Sequence, residues 1–187
     1  MNKYLITGLG NTGLKYENTR HNIGFDVLDF LVKESSISFS SERYADVAQL
    51  KLKNKMLILA KPTTFMNLSG KTVNYWLQQE KIPLENLLVV LDDVALPLGM
   101  LRLKGKGGDG GHNGLKHINQ TLGRQDYARL RFGIGNEYPK GHQIDFVLGQ
   151  WTPEENTALI PRIKEAAESI KTFCLAGINT AMNQHNG

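Results

Sequence analysis

The run Leu87-Leu88-Val89-Val90-Leu91 constrains this chain more than any other stretch. It is apolar at every position and ends abruptly in Asp92-Asp93. A short, unbroken apolar run of this kind suits a central strand, buried on both faces. Other elements must therefore cover it on two sides, and the rest of the chain can supply them. Residues 3–7 read as a first strand, and Val27, Leu28 and Leu31 follow a helical period across residues 23–34. Residues 45–52 and 56–61 read as two strands around a Lys53-Asn54-Lys55 turn. Pro62-Thr63-Thr64 is expected to break the second strand and cap a helix over residues 65–79, with Val73, Trp76 and Leu77 inward. Residues 100–104 and 129–134 read as further strands, separated by a short helix over 115–122. The last long helix should start at Thr152-Pro153-Glu154-Glu155, which offers a cap, a first-turn proline and two early acids. Gly177 should stop it. Strands alternate with helices throughout, so the expected class is α/β: a single domain over residues 1–187, with a mixed twisted sheet and helices on both faces.

In such folds, sites gather at the carboxyl ends of strands. Three polar clusters sit just after a predicted strand: Asn11 with His21, Asp92, and Gly111-His112-Asn113. Gly8, Gly10 and Gly13 add a G-x-G-x-x-G spacing to the first of them. A dinucleotide site needs its helix to begin inside that motif, so that the helix N-terminus meets the pyrophosphate. Here residues 14–20 have no helical apolar period, and the next helix signal starts near Asn22. No second strand ends in an acidic residue at the expected distance. The glycines read instead as allowing a tight turn and close backbone packing.

His21 follows a loop and opens a helix, and Asp92 ends a buried strand. A carboxylate there is costly unless paired or solvated within a site. If it meets His21, it can hold the imidazole in one tautomer and stabilise its cation. There is no G-x-S-x-G and no activated serine. The one cysteine, Cys174, lies on a stripe with Leu159, Ile163, Ala166, Ile170 and Phe173, and reads as a buried hydrophobe. With no side-chain nucleophile, water is the expected attacking group and His21 its general base. Asn11, Asn67 and Asn113 offer neutral amide donors for a substrate carbonyl or an oxyanion. No metal is expected, because Asp92 and Asp93 are adjacent on a strand and point to opposite faces.

Charge is uneven. The net charge is +4, yet between Gly99 and Arg131 seven basic residues face only Asp109 and Asp126. Such a patch suits a phosphate-bearing partner. Within it "KGKGGDGGHNGLK" holds six glycines in thirteen residues and ends in His-Asn-Gly before a helix, which fits a loop near a phosphate chain. No apolar run is long enough to cross a bilayer, and Met1-Asn2-Lys3 leads straight into a strand-like run rather than a signal-peptide core. The expected location is cytoplasmic.

Together "GLGNTGLKYENTRHNIGF", "KPTTFMNLSG", "LDDVALPLG", "GGDGGHNGLK" and "RLRFGIG" resemble the bacterial-type peptidyl-tRNA hydrolases, in family order and over nearly the whole chain. The resemblance implies a cofactor-free esterase acting on peptidyl-tRNA at its acceptor stem and CCA end, without an obligate protein partner and as a monomer. It assigns His21 as the base, Asp92 as its orienting acid and Asn11 beside them. It places Asn67, Asn113, Tyr16, Phe65 and His112 around the substrate, and Lys104 and Arg131, with Arg102 nearby, on the 5′ phosphate. Two positions depart from the family pattern: Thr12 stands where proline is common, and Ala95 where an acid is usual. Two other function classes are considered. One is an RNA-binding relative of the same fold that has lost catalysis; the other is a nucleotide-dependent oxidoreductase. The intact His21, Asp92 and three asparagines favour the enzyme over the first, and the failed glycine context disfavours the second.

Overall fold

A computed structural model describes residues 1–187. Seven strands form one sheet: β1 (Asn2–Gly8), β2 (Ser40–Glu42), β3 (Ala45–Leu52), β4 (Lys55–Pro62), β5 (Leu87–Asp93), β6 (Leu101–Lys104) and β7 (Ala128–Gly133). Their order is β2-β3-β4-β1-β5-β7-β6. The central pairs β4·β1, β1·β5 and β5·β7 are parallel, and the outer pairs are antiparallel. The six helices are α1 (Ile23–Glu34), α2 (Ser69–Gln79), α3 (Asn113–Leu122), α4 (Gln143–Val147), α5 (Pro153–Ala176) and α6 (Ile178–His185).

The apolar run behaves as its composition requires. Alternate side chains of a strand leave opposite faces, and β5 divides accordingly. Leu88 and Val90 join one core, beneath α1 and α5. Leu87, Val89 and Leu91 join the other, beneath α2 and α3. All five are fully buried. The same alternation carries past the apolar run, because β5 stays paired with β7 through Asp92 and Asp93. The two aspartates therefore leave the sheet on opposite sides.

The glycines of the first loop serve packing. A Cβ on Gly24 would sit 2.6 Å from Val90 O and 2.6 Å from Leu9 N, so only glycine lets α1 lie this close to β1 and β5. Gly13 has φ 110°, a conformation that L side chains rarely adopt. No α-helix begins within the motif; short 3₁₀ turns over Leu14–Tyr16 and Arg20–Asn22 precede α1.

Some local expectations need correction. Neither Thr63 nor Thr64 caps a helix. Pro62 is the last residue of β4, a 3₁₀ turn spans Met66–Leu68, and α2 begins only at Ser69. The Met66 N–H that opens the turn is taken by Asn11 Oδ1 at 2.7 Å, so a distant side chain does the work expected of a local cap. In contrast, α5 has the expected cap at Thr152, which Glu155 completes as a capping box, and the expected stop at Gly177. Cys174 is buried within the stripe, and burial pushes its thiol well above the usual range, which suits packing and not attack.

Asp26, in the first turn of α1, is buried enough to push its carboxyl up to about 7, with the charge of Asp29 adding and Lys61 opposing. The unfolded chain releases this proton near 3.8 and the folded chain near 7, so folding loses stability as pH rises between them. Asp26→Asn is therefore expected to match the parent chain in thermal melts at pH 4. At pH 8 it should be more stable by about 2–4 kcal/mol. Equal melting temperatures at pH 8 would contradict the burial argument.

Candidate active site

Asp92 leaves β5 on the side of α1 and is 3% exposed. It meets two imidazoles. His21 Nδ1 lies 2.9 Å from Asp92 Oδ2, and His112 Nε2 lies 2.7 Å from Asp92 Oδ1. A carboxylate only accepts, so each ring must donate. His112 Nδ1 in turn accepts from the N–H groups of Gly114 and Leu115, capping α3. That fixes the His112 proton on Nε2. On His21 the proton sits on Nδ1, and Nε2, with no partner in the chain, is left as a lone pair.

The electrostatics follow. Burial alone would raise the Asp92 carboxyl, but the two imidazoles outweigh it and hold the group far below the usual carboxylate range. Burial would lower His21; the charge and hydrogen bond of Asp92 outweigh that, and the imidazole ends above its ordinary 6.5. The pair is thus an anion orienting a base whose basicity it increases.

Asn11 is built into the floor. Its N–H donates to Asn22 Oδ1 at 2.8 Å, and its carbonyl accepts from Asn22 Nδ2 at 2.9 Å. With Oδ1 committed to Met66, its Nδ2 remains a donor with no partner in the chain. Asn22 was not singled out from sequence, although it directly follows His21 and is 3% exposed. Asn67 and Asn113 are both exposed, each one residue past an anchored neighbour: Met66 is held by Asn11, and His112 by Asp92. Tyr16 and Phe65 pack edge to face with centroids 6.3 Å apart, and Phe65 is 56% exposed.

On the opposite face of the sheet, β6 and β7 pair Arg102 with Arg131 and Lys104 with Arg129. Arg102 and Lys104 are exposed and have no ion-pair partner. Arg131 is positioned by Gly108 O at 2.9 Å, with Asp93 Oδ2 at 3.7 Å. Arg129 is a residue that sequence reasoning left unassigned. It is fully buried and donates to carbonyls of Gly107, Gly108, Gln125 and Tyr127, with no carboxylate partner. Buried arginines are normally paired with an anion, so this one adds uncompensated positive charge beneath the groove and shapes the glycine-rich loop.

Comparison with known proteins settles the family. The family model described as peptidyl-tRNA hydrolase matches residues 5–187. The chain belongs to the peptidyl-tRNA hydrolase family. The peptidyl-tRNA hydrolase of Phocaeicola vulgatus is 64% identical over 184 residues, covering 98% of each chain. That of Bacteroides fragilis is 59% identical over the same length. The crystal structure of the Acinetobacter baumannii enzyme matches with TM-score 0.92 at 32% identity, over 98% of this chain and 94% of that one.

Within this peptidyl-tRNA hydrolase fold, the expected residues divide among neighbouring cavities. His21, Asp92, His112, Asn113 and Arg131 line one of about 100 Å³, with Ile144 and Val147 of α4 on its wall. Arg131 also lines a second, of about 360 Å³, with Arg102, Lys104 and Arg129. Arg131 and Asp93, which line both cavities, thus join the imidazole site to the basic groove. Asn11 lines a third, acid-rich hollow, and Asn67, Tyr16 and Phe65 line none of these. The largest cavity, about 600 Å³, is lined by Arg20, Ala95 and Glu155 and holds none of the expected catalytic residues. Ala95 does not leave its turn unsupported, since its N–H donates to Asp93 Oδ1 at 2.8 Å. His21, Asp92 and His112 lie close enough together to suggest a metal site. Their hydrogen bonds instead place two N–H donors against one anion, and His112 has its other nitrogen occupied by backbone. No helix is long and apolar enough to cross a membrane.

Proposed function

We propose that this chain hydrolyses the ester joining a peptide to the 3′-terminal ribose of tRNA. The single observation that supports this most is the His21–Asp92 hydrogen bond through Nδ1, which leaves Nε2 without a partner on a side chain that lines the cavity. In this reading Nε2 takes a proton from water as the oxygen attacks the ester carbonyl carbon. Asn11 Nδ2, with the amides of Asn67 and Asn113, donates to substrate carbonyls and the developing oxyanion. The tetrahedral species collapses by breaking the bond to the ribose oxygen. The His21 imidazolium returns the proton to that oxygen, so one water yields a peptide acid and a free tRNA hydroxyl. Tyr16, Phe65 and His112 border the substrate, His112 acting through Asp92. The protein acts as a monomer in the cytoplasm, with no metal or organic cofactor.

The basic groove supplies the second half of the reading. Lys104 and Arg131, with Arg102 beside them, hold the 5′ phosphate of the acceptor stem. Phosphate contacts position an RNA without reading its sequence, which suits an enzyme serving many tRNAs. Lys104→Ala combined with Arg131→Ala is expected to raise KM for N-acetylaminoacyl-tRNA on the order of 10-fold or more. A minimal nucleotide ester, which has no stem, should be cleaved as before. Equal losses on both substrates would contradict the clamp.

The test of the chemistry is kcat/KM against pH, which reports the free enzyme's base. His21 must be unprotonated to act, so the rate should rise with pH to a plateau. The midpoint is expected above 6.5, the direction in which Asp92 moves the imidazole. A rate that is flat from pH 5 to 8 would rule out His21 as the base.

A further inference from the structure

The last residues of the sequence close the free edge of the sheet, beside the strand that carries Arg102 and Lys104. β6 is outermost and pairs with β7 on one side only. Its other side would leave the backbone groups of Leu101 and Leu103 open. Gly187 exchanges both hydrogen bonds with Leu101, at 3.1 and 2.9 Å. Asn186 does the same for Leu103 with its side chain: Oδ1 accepts from Leu103 N at 2.6 Å, and Nδ2 donates to Leu103 O at 3.2 Å. Its amide stands in for the peptide group of an eighth strand.

This segment is itself tied to α5. Arg162 donates through Nη2 to Gly187 O at 2.6 Å and through Nε to Gly99 O at 2.7 Å, fixing the tail and the turn before β6 together. His185, the last residue of α6, sits between Glu165 Oε1 at 2.6 Å and Thr172 Oγ1 at 2.8 Å.

We infer that residues 185–187 form a latch that positions the β6 cations for RNA phosphate, with Asn186 as a positioning residue. The inference rests on the clamp reading above. The groove has two walls. Arg129 and Arg131, on β7, are held by the carbonyls of the glycine-rich loop. Arg102 and Lys104, on β6, have no such side-chain anchors; their backbone pairs with β7 on one side, and on the other side it depends on its chain neighbours. Leu101 and Leu103 are those neighbours, and both are pinned by the latch. Without it β6 is a four-residue strand bonded on one side, and such edges open readily. The two cations would then sample many positions, and a rigid phosphate pair would be lost.

Asn186→Ala removes the side-chain mimic without touching the groove, and His185→Ala loosens α6 without touching β6. Two readouts are needed: hydrogen exchange at the Leu101 and Leu103 amides, and kinetics on N-acetylaminoacyl-tRNA and a minimal nucleotide ester. Asn186→Ala is expected to speed exchange at Leu103 about 10-fold and to raise KM for the tRNA substrate about fivefold, with kcat and the minimal ester unchanged. His185→Ala should move the same quantities in the same direction. Faster exchange with an unchanged KM would show that the tail only protects an edge, and would overturn the positioning role. Unchanged exchange would overturn the latch itself. Equal losses on both substrates would assign the residues to general stability. If the parent chain cleaves neither substrate, the proposed activity fails separately, and affinity for a 5′-phosphorylated RNA stem replaces KM. A stem that binds parent and Asn186→Ala alike, or does not bind the parent, overturns the inference.

Discussion

His21→Ala is expected to lower kcat for N-acetylaminoacyl-tRNA by about 10³-fold, within the range ascribed to general bases. Binding of uncleaved tRNA should survive, because His21 is not among the residues that line the basic groove. The side chain has one hydrogen bond to the protein, to Asp92, and its second nitrogen has none. Truncation therefore removes the proton acceptor without dismantling the Asn11–Asn22 pair or the α3 cap. It does leave Asp92 with a single donor, His112, so a melting temperature should accompany the kinetics. A fall in kcat without loss of fold or tRNA affinity is the expected pattern. Loss of tRNA binding in parallel would place His21 in recognition instead.

Asp92→Asn carries the second large effect, expected at about 10²–10³-fold in kcat. Its physical cause differs. The amide can present an N–H to one imidazole, which then cannot donate in return. If that imidazole is His21, the proton moves to Nε2 and the base faces the wrong way. The charge that raises His21 also disappears, leaving burial, which lowers it. The residual activity should therefore show its acid limb at lower pH than the parent chain. A limb that stays in place would mean that Asp92 sets orientation alone. The same substitution bears on stability with a definite sign. The Asp92 carboxyl is held below its unfolded range. The stability it contributes is present above the unfolded pKa near 3.8 and is lost as pH falls further.

The sheet was legible from its middle outward. Leu87 to Leu91 announces a doubly covered strand because no other element hides five consecutive apolar residues so briefly, and both cores divide along it. Helix α5 was legible because its signals are local: Thr152, Pro153 and Glu155 lie within one turn. The start of α2 was not, because Met66 is held by Asn11 from 55 residues away. Nor was the cap of α3, where an imidazole does what a hydroxyl or short carboxyl usually does. Strand β2, with three exposed residues, and the five-residue α4 carry too little apolar period to be read.

The site divides in the same way. His21 and Asp92 could be joined from sequence, since each falls where a buried strand or a loop ends. Their second partner, His112, was expected at the substrate; the structure places it on Asp92, a bond across 20 residues that no periodicity encodes. Arg129 was hidden by its alternation with Arg131 on β7, where a buried and a half-buried arginine look alike in sequence. Asn186 has no sequence signal at all, because its role depends on which strand lies at the sheet edge.

The most direct measurement is acyl release from N-acetylaminoacyl-tRNA by the purified chain in the presence of EDTA. The expected result is rapid release of the acyl group and intact tRNA, unaffected by the chelator. Bound but uncleaved tRNA would contradict it and leave an RNA-binding relative that keeps His21 and Asp92 without using them. Release that EDTA abolishes would contradict it differently, by turning His21, Asp92 and His112 into ligands.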